Sequence, residues 1–172
     1  MIKAIFFDFY NTLGRFEPSR EELQMMICKQ FDIYLDVDGI KKGYGLADSY
    51  VAKEVSKKPL RHMSTLESQR FFEEYQKLIL KGAGVQIDTK LASRIVKKLA
   101  QIPKAFVLFD DVLPVLNTLK CDDFRLGLLT NNEGNIDKLC EVLGLSNLMN
   151  VAINAEEIGR GKPFPDIFLE AM

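Results

Sequence analysis

Apolar residues follow two different rhythms along this chain. Lys3 to Phe7 (KAIFF) is a short, nearly continuous apolar run, the pattern of a strand covered on both faces of a parallel sheet. It ends in Asp8-Phe9-Tyr10-Asn11-Thr12, so polar groups arrive where the strand runs out. From about Pro18 to Pro103 the period becomes helical. Ser19-Arg20-Glu21-Glu22 is a capping box opening a helix that carries Leu23, Met26 and Ile27. Ser64-Thr65-Leu66-Glu67 opens a longer one through Phe71, Phe72, Tyr75, Leu78 and Ile79, closed by Lys81-Gly82-Ala83-Gly84. Asp88 caps a third through Leu91, Ile95, Val96 and Leu99, and a fourth over Val37 to Val55 is weakened by Gly39, Gly43 and Gly45.

After Pro103 strand–helix alternation resumes. Asp110 to Lys120 is a helix with Pro114 in its first turn, where proline is tolerated. Phe124 to Leu129 is a second buried strand ending in Thr130-Asn131-Asn132, and Ile136 to Leu143 is a helix stopped by Gly144. Asn150 to Ile153 is a third short strand, and a last helix begins at Phe164. The pattern predicts an α/β core, residues 1–14 and 104–172, split by an all-helical cap over 15–103. In open α/β sheets ligands bind beyond the carboxyl ends of the strands. Both polar clusters, 8–12 and 130–132, fall at such ends, and the insertion is expected to act as a lid over them.

Charge and composition narrow the function classes. Twenty-three Lys and Arg stand against 24 Asp and Glu, a formal net charge of -1, so the basic excess of a nucleic-acid binder is missing. No apolar run approaches the roughly 18 residues of a membrane span, and MIKAIFFDF lacks the basic region and cleavage site of a signal peptide. Cys28, Cys121 and Cys140 stand far apart, and the chain has one histidine. That argues against a zinc site or a disulfide scaffold. The expectation is a cytoplasmic protein with reduced, mostly buried thiols.

Three segments carry chemistry: FFDFYNTL (6–13), LLTNN (128–132) and GKPFPDIF (161–168). In this order, with helices between the first two, they resemble the first three motifs of the haloacid dehalogenase-like (HAD) hydrolase superfamily, and the resemblance covers essentially the whole chain. It implies a three-layer, Rossmann-like parallel-sheet core with a helical cap, a carboxylate nucleophile and a small anionic substrate. Asp8, at the tip of a buried strand, is the expected nucleophile, forming a covalent ester that water later cleaves. Ending the strand or capping a turn is its plain structural alternative. Thr130 is the expected hydroxyl donor to a substrate oxygen, beside the amides of Asn131 and Asn132. A helix cap by Asn132 or Glu133 fits the same stretch. Lys162 is expected to screen Asp8 and an anionic substrate, its alternative being a solvated surface lysine. Tyr10, Asn11 and Arg15 join Asn131 and Asn132 as substrate-binding candidates, with Phe16 and Arg20 as further specificity candidates at the hinge into the cap. His62 reads as a surface or capping residue, and Phe71, Phe72 and Tyr75 as cap core.

Two departures from the family pattern matter. Phosphatases of the superfamily carry a second Asp two residues after the nucleophile, an acid for the leaving oxygen and then a base for water; here Tyr10 stands there. A tyrosine with a pKa near ~10 substitutes poorly for that double duty. Tyrosine at this place resembles the 2-haloacid dehalogenases, whose halide leaving group needs no proton, although Asn11 stands where those enzymes have Gly. The second departure is that the family's fourth motif, a strand ending in acidic residues, is not reached before Met172. The expected core is therefore incomplete at its C-terminal side. A Mg²⁺ site built on the Asp8 carboxylate and the Tyr10 main-chain carbonyl then lacks its second acid. The first strand becomes an exposed edge that invites a homodimer. The expected activity is Mg²⁺-assisted hydrolysis of a small phosphomonoester. A metal-free 2-haloacid dehalogenase, and a vestigial domain that binds a phosphorylated ligand without turnover, are the alternatives.

Overall fold

A computed structural model describes residues 2–132 and 134–172. Along the chain the elements are β1 (Ala4–Phe7), β2 (Gly14–Glu17), α1 (Arg20–Lys29), α2 (Val37–Lys57), α3 (Thr65–Gly82), α4 (Thr89–Ala100), β3 (Ala105–Leu108), α5 (Val112–Cys121), β4 (Arg125–Thr130), α6 (Ile136–Val142), β5 (Val151–Asn154), α7 (Ala155–Ile158) and α8 (Asp166–Glu170), with a 3-10 turn at Leu60–His62. They form two compact units: Met1–Glu17 with Ala105–Met172, and Pro18–Lys104.

In the first unit β1, β4 and β5 form a parallel sheet in the order β1-β4-β5. Side chains alternate across a strand, and β4 shows why its apolar run is continuous. Leu126 and Leu128 pack with Val112 and Leu116 of α5 and with Ile136 and Cys140 of α6. Leu129, from the opposite face, packs with Ile153 and with Ile167 of α8. Helices thus cover both faces, the three-layer α/β arrangement. β2 and β3 form a separate antiparallel ribbon, Gly14 opposite Leu108 and Glu17 opposite Ala105. Arg15, Phe16 and Glu17 therefore belong to this unit, and the boundary lies three residues later than the sequence pattern sets it. The reason is long-range: ladder bonds to β3, and the Phe16 ring stacked on Phe106 at 4.3 Å. α6 is capped by Asn135, whose side chain accepts from the Lys138 N–H at 2.7 Å, three residues after Asn132; Glu133 lies outside the described residues.

The second unit is helical. Both expected capping boxes are present, at Ser19 and at Ser64, and Asp36 and Asp88 cap α2 and α4. One core gathers Ile27, Cys28, Leu80 and Ile95, and another gathers Ile40, Tyr44, Ala47 and Ile79. Phe71 is buried as expected, while Phe72 is exposed. A buried reciprocal amide pair joins α1 to α3: Gln24 donates to Gln76 at 3.0 Å and Gln76 returns the bond at 2.9 Å. Each amide satisfies the other, as burial of such groups requires. Burial pushes the Cys28 thiol up to about 11, and the Cys140 thiol upward as well. Cys121 is exposed. No helix among the described residues is long and apolar enough to cross a membrane.

α2 runs unbroken for 21 residues through all three glycines. Gly43 is where α2 meets α3: a Cβ placed there would overlap the Ile79 carbonyl and stand 2.7 Å from its carbon. Nothing lies within 4 Å of a Cβ on Gly45. The two glycines therefore separate propensity from packing. Gly45→Ala should stabilise the protein by about 0.5–1 kcal/mol, the ordinary helix preference for Ala. Gly43→Ala should be net destabilising by about 1 kcal/mol or more, because overpacking against a backbone typically costs about 1–3 kcal/mol. Urea denaturation of both variants checks this; equal stabilisation would mean that the helices do not cross at Gly43.

Candidate active site

β1 delivers Asp8 to the carboxyl end of the sheet, and the chain then turns sharply. The Phe9 carbonyl accepts from the N–H groups of Thr12, Leu13 and Gly14 at 3.1, 2.8 and 3.1 Å, while the Phe9 ring is fully buried beneath. Asn11 lies in the left-handed region at φ 60°, where Asn and Gly are the residues most readily accepted. Its N–H donates to the Gly14 carbonyl at 2.8 Å. Asn11 is thereby explained as a turn residue.

The parallel register sets Phe7 opposite Leu128, so Asp8 leaves β1 beside Leu129, which is still paired with Ile153 in the sheet. Lys162 bridges them. Its ammonium donates to Asp8 Oδ1 and to the Leu129 carbonyl, the latter at 2.6 Å. The Thr12 hydroxyl donates to the other carboxylate oxygen, Asp8 Oδ2, at 3.4 Å. Asp8 keeps 43% of its side-chain exposure and Lys162 22%, so the carboxylate stays open to a ligand while the cation beside it is largely covered.

Thr130 closes β4 and is buried. Its hydroxyl oxygen accepts from the Asn132 N–H at 3.1 Å, which leaves the hydroxyl hydrogen to donate. Asn131 uses its side chain differently from the expectation of a substrate contact. Its Nδ2 donates to the Lys162 carbonyl and its Oδ1 accepts from the Lys162 N–H, both at 2.8 Å. The Asn132 Nδ2 is buried without a hydrogen-bond partner.

Tyr10 leads a row of rings. Its centroid lies 5.2 Å from Phe16, Phe16 stacks on Phe106, and Phe106 meets Phe9 edge-on at 4.9 Å. Phe16 is thus a support for Tyr10. Arg15 lies exposed on β2, 3.8 Å from Glu17 and with its guanidinium 5.8 Å from the Phe109 ring centre, and no described hydrogen bond links it to Asp8. Arg20 belongs to the helical unit: it pairs with Asp48 at 3.0 Å and lies over the Tyr44 ring at 3.9 Å. Tyr75 donates to the same Asp48 at 3.2 Å, and burial above all raises the pKa of its hydroxyl. His62 is exposed in its 3-10 turn.

Two residues that sequence reasoning passed over support the Thr130 loop. Asn154 is buried at the end of β5, and its Nδ2 donates to the Gly134 carbonyl at 2.7 Å. Glu156 accepts from the Gly134 N–H at 2.8 Å. The signal was available, since Asn154 ends its strand as Asp8 and Thr130 end theirs. Among the described residues no three His, Cys, Asp or Glu side chains converge as a metal cluster. The arrangement joins an accessible carboxylate, a cation in contact with it and a hydroxyl with a free hydrogen, the groups needed for nucleophilic attack on an anionic centre.

Comparison with known proteins identifies the family and the fold. The family profile described as haloacid dehalogenase-like hydrolase matches residues 2–172. The chain is 28% identical over 175 residues to the glyceraldehyde 3-phosphate phosphatase of Methanopyrus kandleri, covering 99% of this chain and 69% of that protein. Among solved structures it resembles the magnesium-bound HAD-hydrolase YfnB of Bacillus subtilis, with a TM-score of 0.62 at 17% identity over 99% of this chain and 72% of that one. It also resembles the L-2-haloacid dehalogenase of Xanthobacter autotrophicus, with a TM-score of 0.57 at 16% identity over 99% and 64%. At these identities the two structures establish the shared fold.

The Thr130–Asn132 bond yields a direct test. Thr130→Val keeps the shape but leaves the Asn132 N–H without its acceptor, a loss of about 1 kcal/mol for a partly buried group. Thr130→Ser should restore most of it. Thermal melts of the pair check this, and a Thr130→Val variant as stable as the wild type would mean that the bond to the Asn132 N–H adds nothing to stability.

Proposed function

Because the chain belongs to the haloacid dehalogenase-like hydrolases, we propose that it cleaves a small phosphomonoester through a covalent ester on Asp8. The observation that carries this reading is the Asp8 carboxylate at the sheet end, held through Oδ1 by Lys162 and still 43% exposed. The identity to a glyceraldehyde 3-phosphate phosphatase supports a small sugar-type phosphate as the substrate class.

In this mechanism an Asp8 oxygen attacks phosphorus, and the bond from phosphorus to the leaving oxygen breaks, its electron pair staying on that oxygen. The leaving oxygen takes a proton from solvent to give the alcohol, since Tyr10 stands where the family's phosphatases carry the acid. An acyl phosphate on Asp8 results. Water then attacks phosphorus, releasing inorganic phosphate and regenerating the carboxylate. Lys162 offsets the repulsion between the nucleophile and the dianionic phosphoryl group, and the Thr130 hydroxyl donates to a phosphoryl oxygen. Magnesium takes hard oxygen ligands and keeps several waters. The Asp8 carboxylate and the Tyr10 main-chain carbonyl are donors of that kind and would hold the ion together with waters, without a cluster of further acidic side chains among the described residues; the ion would supply further charge against the phosphoryl oxygens.

A second reading has its own support in Tyr10. A 2-haloacid dehalogenase expels halide and needs no acid two residues after the nucleophile, so tyrosine is compatible there. The left-handed backbone at Asn11 also removes an objection. That position accepts Asn or Gly on the same conformational ground.

Two substitutions separate these readings. Asp8→Asn should abolish release of nitrophenol from an aryl phosphate with Mg²⁺ while leaving the melting temperature within a few degrees. Activity within tenfold of wild type would remove Asp8 from its assigned role. Tyr10→Asp should raise phosphate release by about 10²-fold or more, the usual worth of general acid–base help. An unchanged or lower rate, together with chloride release from 2-chloropropionate by the wild type, would favour the dehalogenase reading.

A further inference from the structure

We infer that Asn131 is a positioning residue: its side-chain amide fixes the backbone of Lys162, and through it the ammonium that meets Asp8. The inference rests on the roles proposed above for Asp8 and Lys162. Asn131 Nδ2 donates to the Lys162 carbonyl and Oδ1 accepts from the Lys162 N–H, each at 2.8 Å. One planar amide thus reads both polar groups of one residue, as a neighbouring strand would. Lys162 lies outside every helix and strand, so no ladder holds it, and Pro163 has no N–H to contribute.

Gly161 is the counterpart. A Cβ there would overlap Asn131 Oδ1 and stand 2.6 Å from the Ala155 Cβ, so only glycine lets the amide reach Lys162. From this anchored stem the ammonium contacts Asp8 and the Leu129 carbonyl together. Asn131 follows Thr130 directly, so the same short segment presents the hydroxyl donor and sets the cation. Substrate contact through the engaged amide atoms would require breaking the clamp.

Asn131→Ala removes both bonds. Asn131→Asp keeps the acceptor but turns a negative oxygen toward the Lys162 carbonyl, and Gly161→Ala displaces the amide without altering it. Two measurements are made on the wild type and all three variants. Site-resolved modification by an amine-reactive reagent, read by mass spectrometry, should show Lys162 reacting at least fivefold faster in each variant. Steady-state hydrolysis of an aryl phosphate should show kcat lowered by about 10–100-fold with KM within threefold, since misplacing a reacting partner by about 1 Å can cost 10²-fold. A tenfold rise in KM with kcat unchanged would make Asn131 a direct substrate ligand and overturn the inference, as would unchanged Lys162 reactivity. If the wild type turns over no phosphomonoester, the proposed activity fails, and the modification rates alone still decide the clamp. Should Asn131→Ala not fold, Asn131→Asp and Gly161→Ala carry the test.

Discussion

The ammonium of Lys162 joins two groups that the chain keeps 154 positions apart in sequence, and the arrangement of the site depends on that contact. Asp8 stands at the tip of β1, and Lys162 comes from a segment with no regular structure of its own. A lysine has three protons to donate. One goes to Asp8 and one to the Leu129 carbonyl, so the cation straddles the ends of two adjacent strands. With Asp8 43% exposed, the pair is screened by water and contributes little to stability. Its consequence is orientation: Oδ1 is taken by the lysine, while Oδ2 meets the Thr12 hydroxyl at 3.4 Å.

That arrangement explains why the site was legible in sequence while parts of the fold were not. β1 and β4 announce themselves as apolar runs, because both faces of a central parallel strand are covered. Asp8 and Thr130 are visible because each is the polar residue at which such a run stops. The capping boxes at Ser19 and Ser64 are local chemistry and were read directly. β2 and β3 were not legible. Each is four residues long, and they pair across the whole helical insertion. A two-stranded ribbon of that length takes its stability from what packs on it, here the rings of Phe9, Phe16 and Phe106. No local period records that.

Tyr10 and Asn11 show how backbone geometry changes the reading of a motif. As letters, Tyr10 points toward dehalogenases and Asn11 away from them. In three dimensions the two do not conflict. Asn11 answers a left-handed φ that several residue types satisfy, whereas Tyr10 carries chemical information, because the position two residues after Asp8 holds a phenol where phosphatases of the family carry a carboxyl group. The aromatic row behind it gives the ring a fixed support. A residue that serves conformation is weak evidence about activity, and one whose functional group bears on the proton needs of the reaction is stronger evidence.

The same distinction applies to the glycines. Helix propensity treats Gly43 as a defect, since glycine costs about 1 kcal/mol relative to alanine in a helix interior. Yet α2 and α3 could not approach at the Ile79 carbonyl with any larger residue there. Gly161 plays the corresponding part at the site, where the absent side chain is the space that Asn131 fills. In both places local preference is overridden by a contact between segments distant in sequence, one packing two helices and the other holding a cation beside a carboxylate. A single sequence records such a glycine only as a gap in a pattern. What occupies the gap becomes visible when the partner backbone or side chain is in place. Asn131 is the clearer case, because its polar side chain invites assignment to a ligand until Lys162 is seen to use it.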